Sequence, residues 1–207
     1  MTSTVKQKAK VLAWTVAAAA VATAPITVSA ASNTANTTIN ATVNEVISIS
    51  SLGTVALTLN PAGSGVVTSA SDTVTVSTNK SNGYNLGVAD SDATTSLVSG
   101  GNNLTAHTGT KTSPTALTNG TWGFAVATAT TGIGTNGFDA SYSTESSSTT
   151  STSKWAGMPA SGSPMMIKTT ATTASSDTTT VWFAARVGIT QPTGVYTDQI
   201  TYTATTN

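Results

Sequence analysis

His107 is the single histidine of a 207-residue chain that contains no cysteine, and together these two facts bound its chemistry. A Ser-His-Asp arrangement needs the imidazole held by an acidic partner inside a pocket. His107 stands instead in a Thr- and Gly-rich stretch, Thr105-Ala106-His107-Thr108-Gly109, and reads as a surface residue. One histidine without thiolates does not fill the ligand set of a zinc site, and cysteine nucleophiles are excluded outright. Asp90-Ser91-Asp92 could offer oxygen ligands to calcium, but the spacing lacks the further carboxylates and the glycine of a loop site. These aspartates read as turn residues that accept hydrogen bonds from nearby backbone amides. Eight acidic residues leave a glycosidase-like pair open, yet each sits beside turn residues or alone. Glu45 falls on the apolar face of the first strand by strict alternation. A bulge that turns it outward is expected, rather than a buried pairing with Arg186. Gly132-Ile133-Gly134 is followed by neither Lys-Ser/Thr nor a helix, so it is not a phosphate loop. No catalytic residue, metal or cofactor is expected.

The aromatic residues offer binding rather than catalysis. Trp122 and Trp182 lie on strands, where such side chains fill cores or cover sheet faces. Trp155 lies in a loop with Met158 nearby, and these two are the candidates for ligand contact. Asn36-Thr37-Thr38, Asn40-Ala41-Thr42, Asn103-Leu104-Thr105 and Asn119-Gly120-Thr121 match the glycosylation acceptor, as a chain this rich in Thr and Ser does by chance.

The elements that must position these residues are strands. Period-two alternation dominates, carried by Thr and Val, whose branched Cβ suits a pleated surface. Ile39, Ala41, Val43, Ile47 and Ile49 share one face of a first strand, and Val55, Leu57 and Leu59 repeat the pattern before Pro61. Val74 and Val76 lead through Asn79-Lys80-Ser81-Asn82-Gly83 into Tyr84, Leu86 and Val88, which reads as a hairpin. Trp122, Phe124 and Val126 share a face. Val181, Phe183, Ala185, Val187 and Ile189 form the longest apolar row. A turn at Gln191-Pro192-Thr193-Gly194 then sets a last strand, Val195–Thr205, against that row. Residues 90–120 and 130–163 read as long Ser/Thr/Gly-rich loops, with one weak strand around Leu97. Short strands between Gly, Pro and Asn turns predict an all-β antiparallel sandwich.

The N-terminus reads as an export signal. Lys6, Lys8 and Lys10 precede an apolar run from Val11 to Ala22, and Val28-Ser29-Ala30 offers a cleavage pattern of small residues. The expected organisation is a signal peptide over residues 1–30 and one sandwich domain over residues 31–207. Cleavage would remove three of eight basic residues and none of eight acidic ones, leaving a net charge of −3. No basic patch then remains to neutralise phosphates, so nucleic acid is not an expected partner. The apolar run is too short to span a membrane, and no span is expected after cleavage. Without cysteine no disulfide staples the fold, which must hold itself by burying apolar surface.

Three segments carry a resemblance: Gly83-Tyr84-Asn85-Leu86 after a Val/Thr strand, Trp155-Ala156-Gly157-Met158-Pro159 before a polar stretch, and Gly194-Val195-Tyr196-Thr197-Asp198-Gln199-Ile200-Thr201-Tyr202-Thr203 at the end. The chain resembles the WxL-type surface domains of Gram-positive bacteria, with Tyr84 and Tyr202 where that family has Trp. Its last segment is also similar to the terminal strand of pilus-subunit sandwiches. The resemblance implies an extracellular protein of the cell surface that works by contact, with the cell envelope or like subunits as partners. Tyr196, Ile200 and Tyr202 then become candidates for strand-to-strand assembly. A carbohydrate-binding module using Trp155 is the alternative, with glycans as partners.

Overall fold

Alternating β-branched and polar residues build eleven strands and no helix among the residues that the computed structural model describes, 30–126 and 153–207. The expected signal segment, except Ala30, lies outside the described residues, as does most of the 130–163 stretch with Gly132-Ile133-Gly134. The strands are β1 Ile47–Ser50, β2 Val66–Thr78, β3 Tyr84–Asp90, β4 Leu97–Ser99, β5 Asn102–Ala106, β6 Thr115–Ala116, β7 Thr121–Val126, β8 Lys154–Trp155, β9 Met165–Thr169, β10 Ala174–Val187 and β11 Ile200–Thr206. The chain divides into two units, Met1–Thr42 and Val43–Asn207. The described part of the first unit, residues 30–42, is exposed and has no regular secondary structure.

The second unit is all-β and sandwich-like, as the alternation predicts. A six-stranded sheet runs in the order β1-β2-β10-β7-β5-β4, a three-stranded sheet in the order β11-β3-β9, and β6 pairs with β8. The pairings are antiparallel except for β5 with β7, where Thr105 and Ala106 lie parallel to Thr121 and Trp122. The predicted apolar row forms the centre of the core from Val181 to Val187, whereas Ile189, read as part of it, lies past the end of β10 and is exposed. Phe183 stands opposite Phe124, and Val181 opposite Val126, all four of them buried. Tyr84, Leu86 and Val88 of β3 contribute the other layer and are fully buried. Each such side chain stabilises the fold by about 1.5–3 kcal/mol.

Four expectations about connectivity are corrected. The first strand is only four residues long, because β2 ends at Thr78 opposite Ile47. Asn79 closes the ladder there. Its Oδ1 accepts the Val46 N–H at 2.8 Å, and its Nδ2 donates to the Asn44 carbonyl at 2.8 Å. The Asn79–Gly83 segment does not join a hairpin, since β2 and β3 belong to different sheets. Gly83 makes the turn at φ +80, where a Cβ would sit 2.5 Å from the Thr170 carbonyl oxygen. A larger residue there meets both a strained backbone and a clash.

The last strand begins at Ile200 and pairs with β3, not with β10. Thr197 carries the chain across by exchanging two backbone hydrogen bonds with Val98, at 2.9 and 3.0 Å. Finally, the 90–120 stretch holds the strand expected around Leu97, as β4, but it is less of a loop than expected, since it also holds β5 and β6. The Val55, Leu57 and Leu59 row does pack half-buried against the core, but it joins no ladder.

Candidate functional site

Trp155 and Met158, read as displayed on a loop, are interior residues. Trp155 lies in β8 opposite Thr115 and is 0% exposed, and Met158 is buried as well. The cause lies one residue along: Ala156 exchanges backbone hydrogen bonds with Phe124 at 2.8 and 2.9 Å, which draws this segment onto the edge of β7. His107 is also corrected from surface to interior. Its N–H donates to the Trp122 carbonyl at 2.8 Å, and its Nε2 lies 2.8 Å from the Thr115 hydroxyl. Gly157 packs so tightly on the His107 carbonyl that a Cβ there would overlap it. Burial lowers the imidazole pKa, against a smaller raising effect from Thr115. Trp122 and Trp182 are buried. Glu45 turns outward and pairs with Lys80, while Arg186 donates to the carbonyls of Leu117 and Ser64, each at 2.9 Å.

The assembly candidates separate. Tyr196 lies before β11, its hydroxyl donating to the Pro192 carbonyl at 2.8 Å. Ile200 and Tyr202 are half-buried and face the core. Tyr202 faces Asp72 of β2, and burial first, then that carboxylate, raises its pKa.

A polar cluster links the two main sheets. Tyr84 of β3 donates to Asp177 Oδ2 at 2.8 Å, and Lys168 of β9 donates to Asp177 Oδ1 at 2.6 Å and to the Thr178 carbonyl at 3.0 Å. An irregularity in β10 between Ala174 and Asp177, with Ser176 at φ 52, places Asp177 there. Every strong partner in this cluster is satisfied, which suits a structural tie rather than a reactive site.

An acidic corner lies at the opposite end of β3. Asp90 is 1% exposed. Its Oδ1 accepts the Asp92 N–H at 3.0 Å, but its buried Oδ2 has no hydrogen-bond partner. Asp198 approaches it from the segment before β11. Its Oδ1 accepts the Gln199 N–H at 2.8 Å, and its buried Oδ2 is likewise unpartnered. Burial, with the Asp90 side chain in hydrogen-bonding contact and the charges of Asp90 and Asp92 close by, pushes the Asp198 carboxyl up to about 6, although the Gln199 N–H works in the opposite direction. An open depression of about 630 Å³ adjoins, lined by Asp92, Thr94, Ser96, Thr197, Asp198 and Gln199 among others. The sequence marked Asp90 and Asp92 as turn aspartates and did not mark Asp198. Only the β3–β11 register brings Asp198 to them, with Ile200 opposite Asp90.

A third feature is apolar. Val43, Val46, Ile49 and Leu52 are 85%, 60%, 41% and 67% exposed, and they run along the approach to β1 and past it. β1 is the edge strand of its sheet, and β11 is an edge strand of the other.

Comparison of the chain with protein-family models, curated proteins and solved structures found no match.

Proposed function

We propose that this chain is an exported structural or attachment protein of a cell surface, which works by assembling with like subunits or with the envelope and not by catalysis. The carrying observation is the apolar row of Val43, Val46, Ile49 and Leu52, left in water beside a sheet edge. Burying such side chains is the dominant drive to association, and an open edge lets a neighbour's strand extend the sheet through its backbone. The export reading draws on the basic and apolar N-terminal pattern ending at Val28-Ser29-Ala30. The carbohydrate-binding alternative relied on Trp155 at the surface, and that side chain is buried.

The test is sedimentation of residues 31–207 beside a variant carrying Val43→Asp and Val46→Asp. The wild type should self-associate in the micromolar range, and the variant should stay monomeric with an unchanged melting temperature, because both positions are already exposed. A wild type that is monomeric at high concentration and fails to bind isolated envelopes would remove the reading.

A further inference from the structure

We infer that the Val43 and Val46 row of one copy docks on the turn over residues 188–197 of a second copy, so that like subunits join head to tail. The inference rests on the reading that the chain assembles with like subunits, and it names the acceptor surface. That turn follows β10 and carries Ile189 and Val195, which are 74% and 80% exposed. Val66, opposite Val187 at the same end of the central ladder, is exposed as well.

The turn is braced rather than loose. The Gln191 N–H donates to the Gly188 carbonyl at 3.1 Å, and the Gln191 side-chain amide donates to the Tyr196 hydroxyl at 2.8 Å and to the Asn103 carbonyl of β5 at 3.3 Å. The Tyr196 hydroxyl donates in turn to the Pro192 carbonyl. Gly194 packs so closely on Ser99 of β4 that a Cβ there would overlap the serine hydroxyl. Two branched apolar side chains are thus held in water by a fixed backbone, and a surface ordered in advance loses less entropy on binding. Residues 187–197 carry no charged side chain, so covering them strips water from no charge.

What covers the turn follows from where the other row lies. Val46 is tied to Asn79, just beyond the Thr78 end of β2. Ile189 lies just beyond Val187, which stands opposite the Val66 end of the same strand. The 13 residues of β2 separate these ends, roughly 40 Å at the rise of an antiparallel strand. Val43 is three residues upstream of Val46, which adds at most about 10 Å of reach. The row therefore cannot fold back on its own turn, and a second copy supplies it. Contact between two different patches is not closed by a two-fold axis, so it propagates into a line or a ring of subunits.

Sedimentation of residues 31–207 and of two double variants tests this. The wild type should form species larger than a dimer as concentration rises. Ile189→Asp with Val195→Asp should stay monomeric at concentrations where the wild type assembles, with an unchanged melting temperature because both side chains are already exposed. Val43→Asp with Val46→Asp should behave alike. An equimolar mixture of the two variants should form one-to-one dimers and nothing larger, since each keeps the end that the other has lost. A turn variant that assembles as the wild type does overturns the inference and leaves the assembly reading standing. So does a wild type that stops at a dimer, or a mixture that stays monomeric. A monomeric wild type overturns it too, and binding to isolated envelopes then decides the attachment reading separately. The absence of cysteine allows a second measurement. Under mild oxidation Val43→Cys with Val195→Cys should give a ladder of disulfide-linked multimers, while Val43→Cys alone should not dimerise. Abundant dimers of Val43→Cys alone would mean that row meets row, and would overturn the head-to-tail order.

Discussion

Tyr84 on the three-stranded sheet gives its hydroxyl hydrogen to Asp177 on the six-stranded sheet, 2.8 Å away. The phenol is fully buried. Burial and then the hydrogen bond to the carboxylate raise its pKa, so it is a donor at neutral pH. Lys168 holds the other oxygen of the same carboxylate, and one aspartate thus fastens both β3 and β9 to β10.

Tyr84→Phe should therefore destabilise the domain by about 1–2 kcal/mol, the loss of one charge-assisted hydrogen bond. Lys168→Met should do at least as much, since it leaves Asp177 without its cation. Urea unfolding of both variants and of the double variant measures this. The two losses should fail to add, because they share one acceptor. An unchanged midpoint for Tyr84→Phe would show that the hydroxyl does not tie the sheets.

His107 makes stability depend on pH in a defined direction. Its folded pKa lies below the unfolded value of 6.5, so the unfolded chain binds the proton more readily. The contribution is fully present above 6.5 and is lost as pH falls through the lower, folded value. Thermal unfolding of wild type and His107→Asn between pH 7.5 and 4.5 isolates the effect. The difference between the two should move against the wild type on acidification. A constant difference across that range would contradict the burial of the ring.

Trp155→Ala should cost about 3–5 kcal/mol, the usual penalty for emptying a large buried aromatic site. Trp155→Phe should cost less. A Trp155→Ala protein that melts with the wild type, yet loses binding on a glycan array, would return Trp155 to the surface and revive the carbohydrate reading.

Alternation made the individual faces legible. Val181, Phe183, Ala185 and Val187, and Trp122, Phe124 and Val126 opposite them, were readable because side-chain direction on a strand is a local property of period two. Pairing is not local. Val74-Thr75-Val76 and Tyr84-Asn85-Leu86 look like the arms of a hairpin, and only the sandwich sends them to different sheets. Polar composition also misled. His107 and Trp155 sit among Thr, Ser and Gly, but Gly109, Gly123 and Gly157 are the residues that let their backbones approach closely. Glycines that permit packing resemble glycines that permit a loop. Asp198 had no local mark, because its significance comes from Asp90, far away in sequence.

The pairing of β2 with β10 implies an order of events for the growing chain. Val66 stands opposite Val187, and Thr75 opposite Thr178, so the central ladder joins segments separated by most of the domain. A polypeptide made or threaded N-terminus first holds Val66–Thr78 without its main partner until Val187 has emerged. Closing so long a loop slows folding more than it weakens the folded state. Through that interval the Val- and Thr-rich β2 is open to wrong pairings, and its Ser69, Ser71, Asp72 and Ser77 are the residues that make it a poorer template for them.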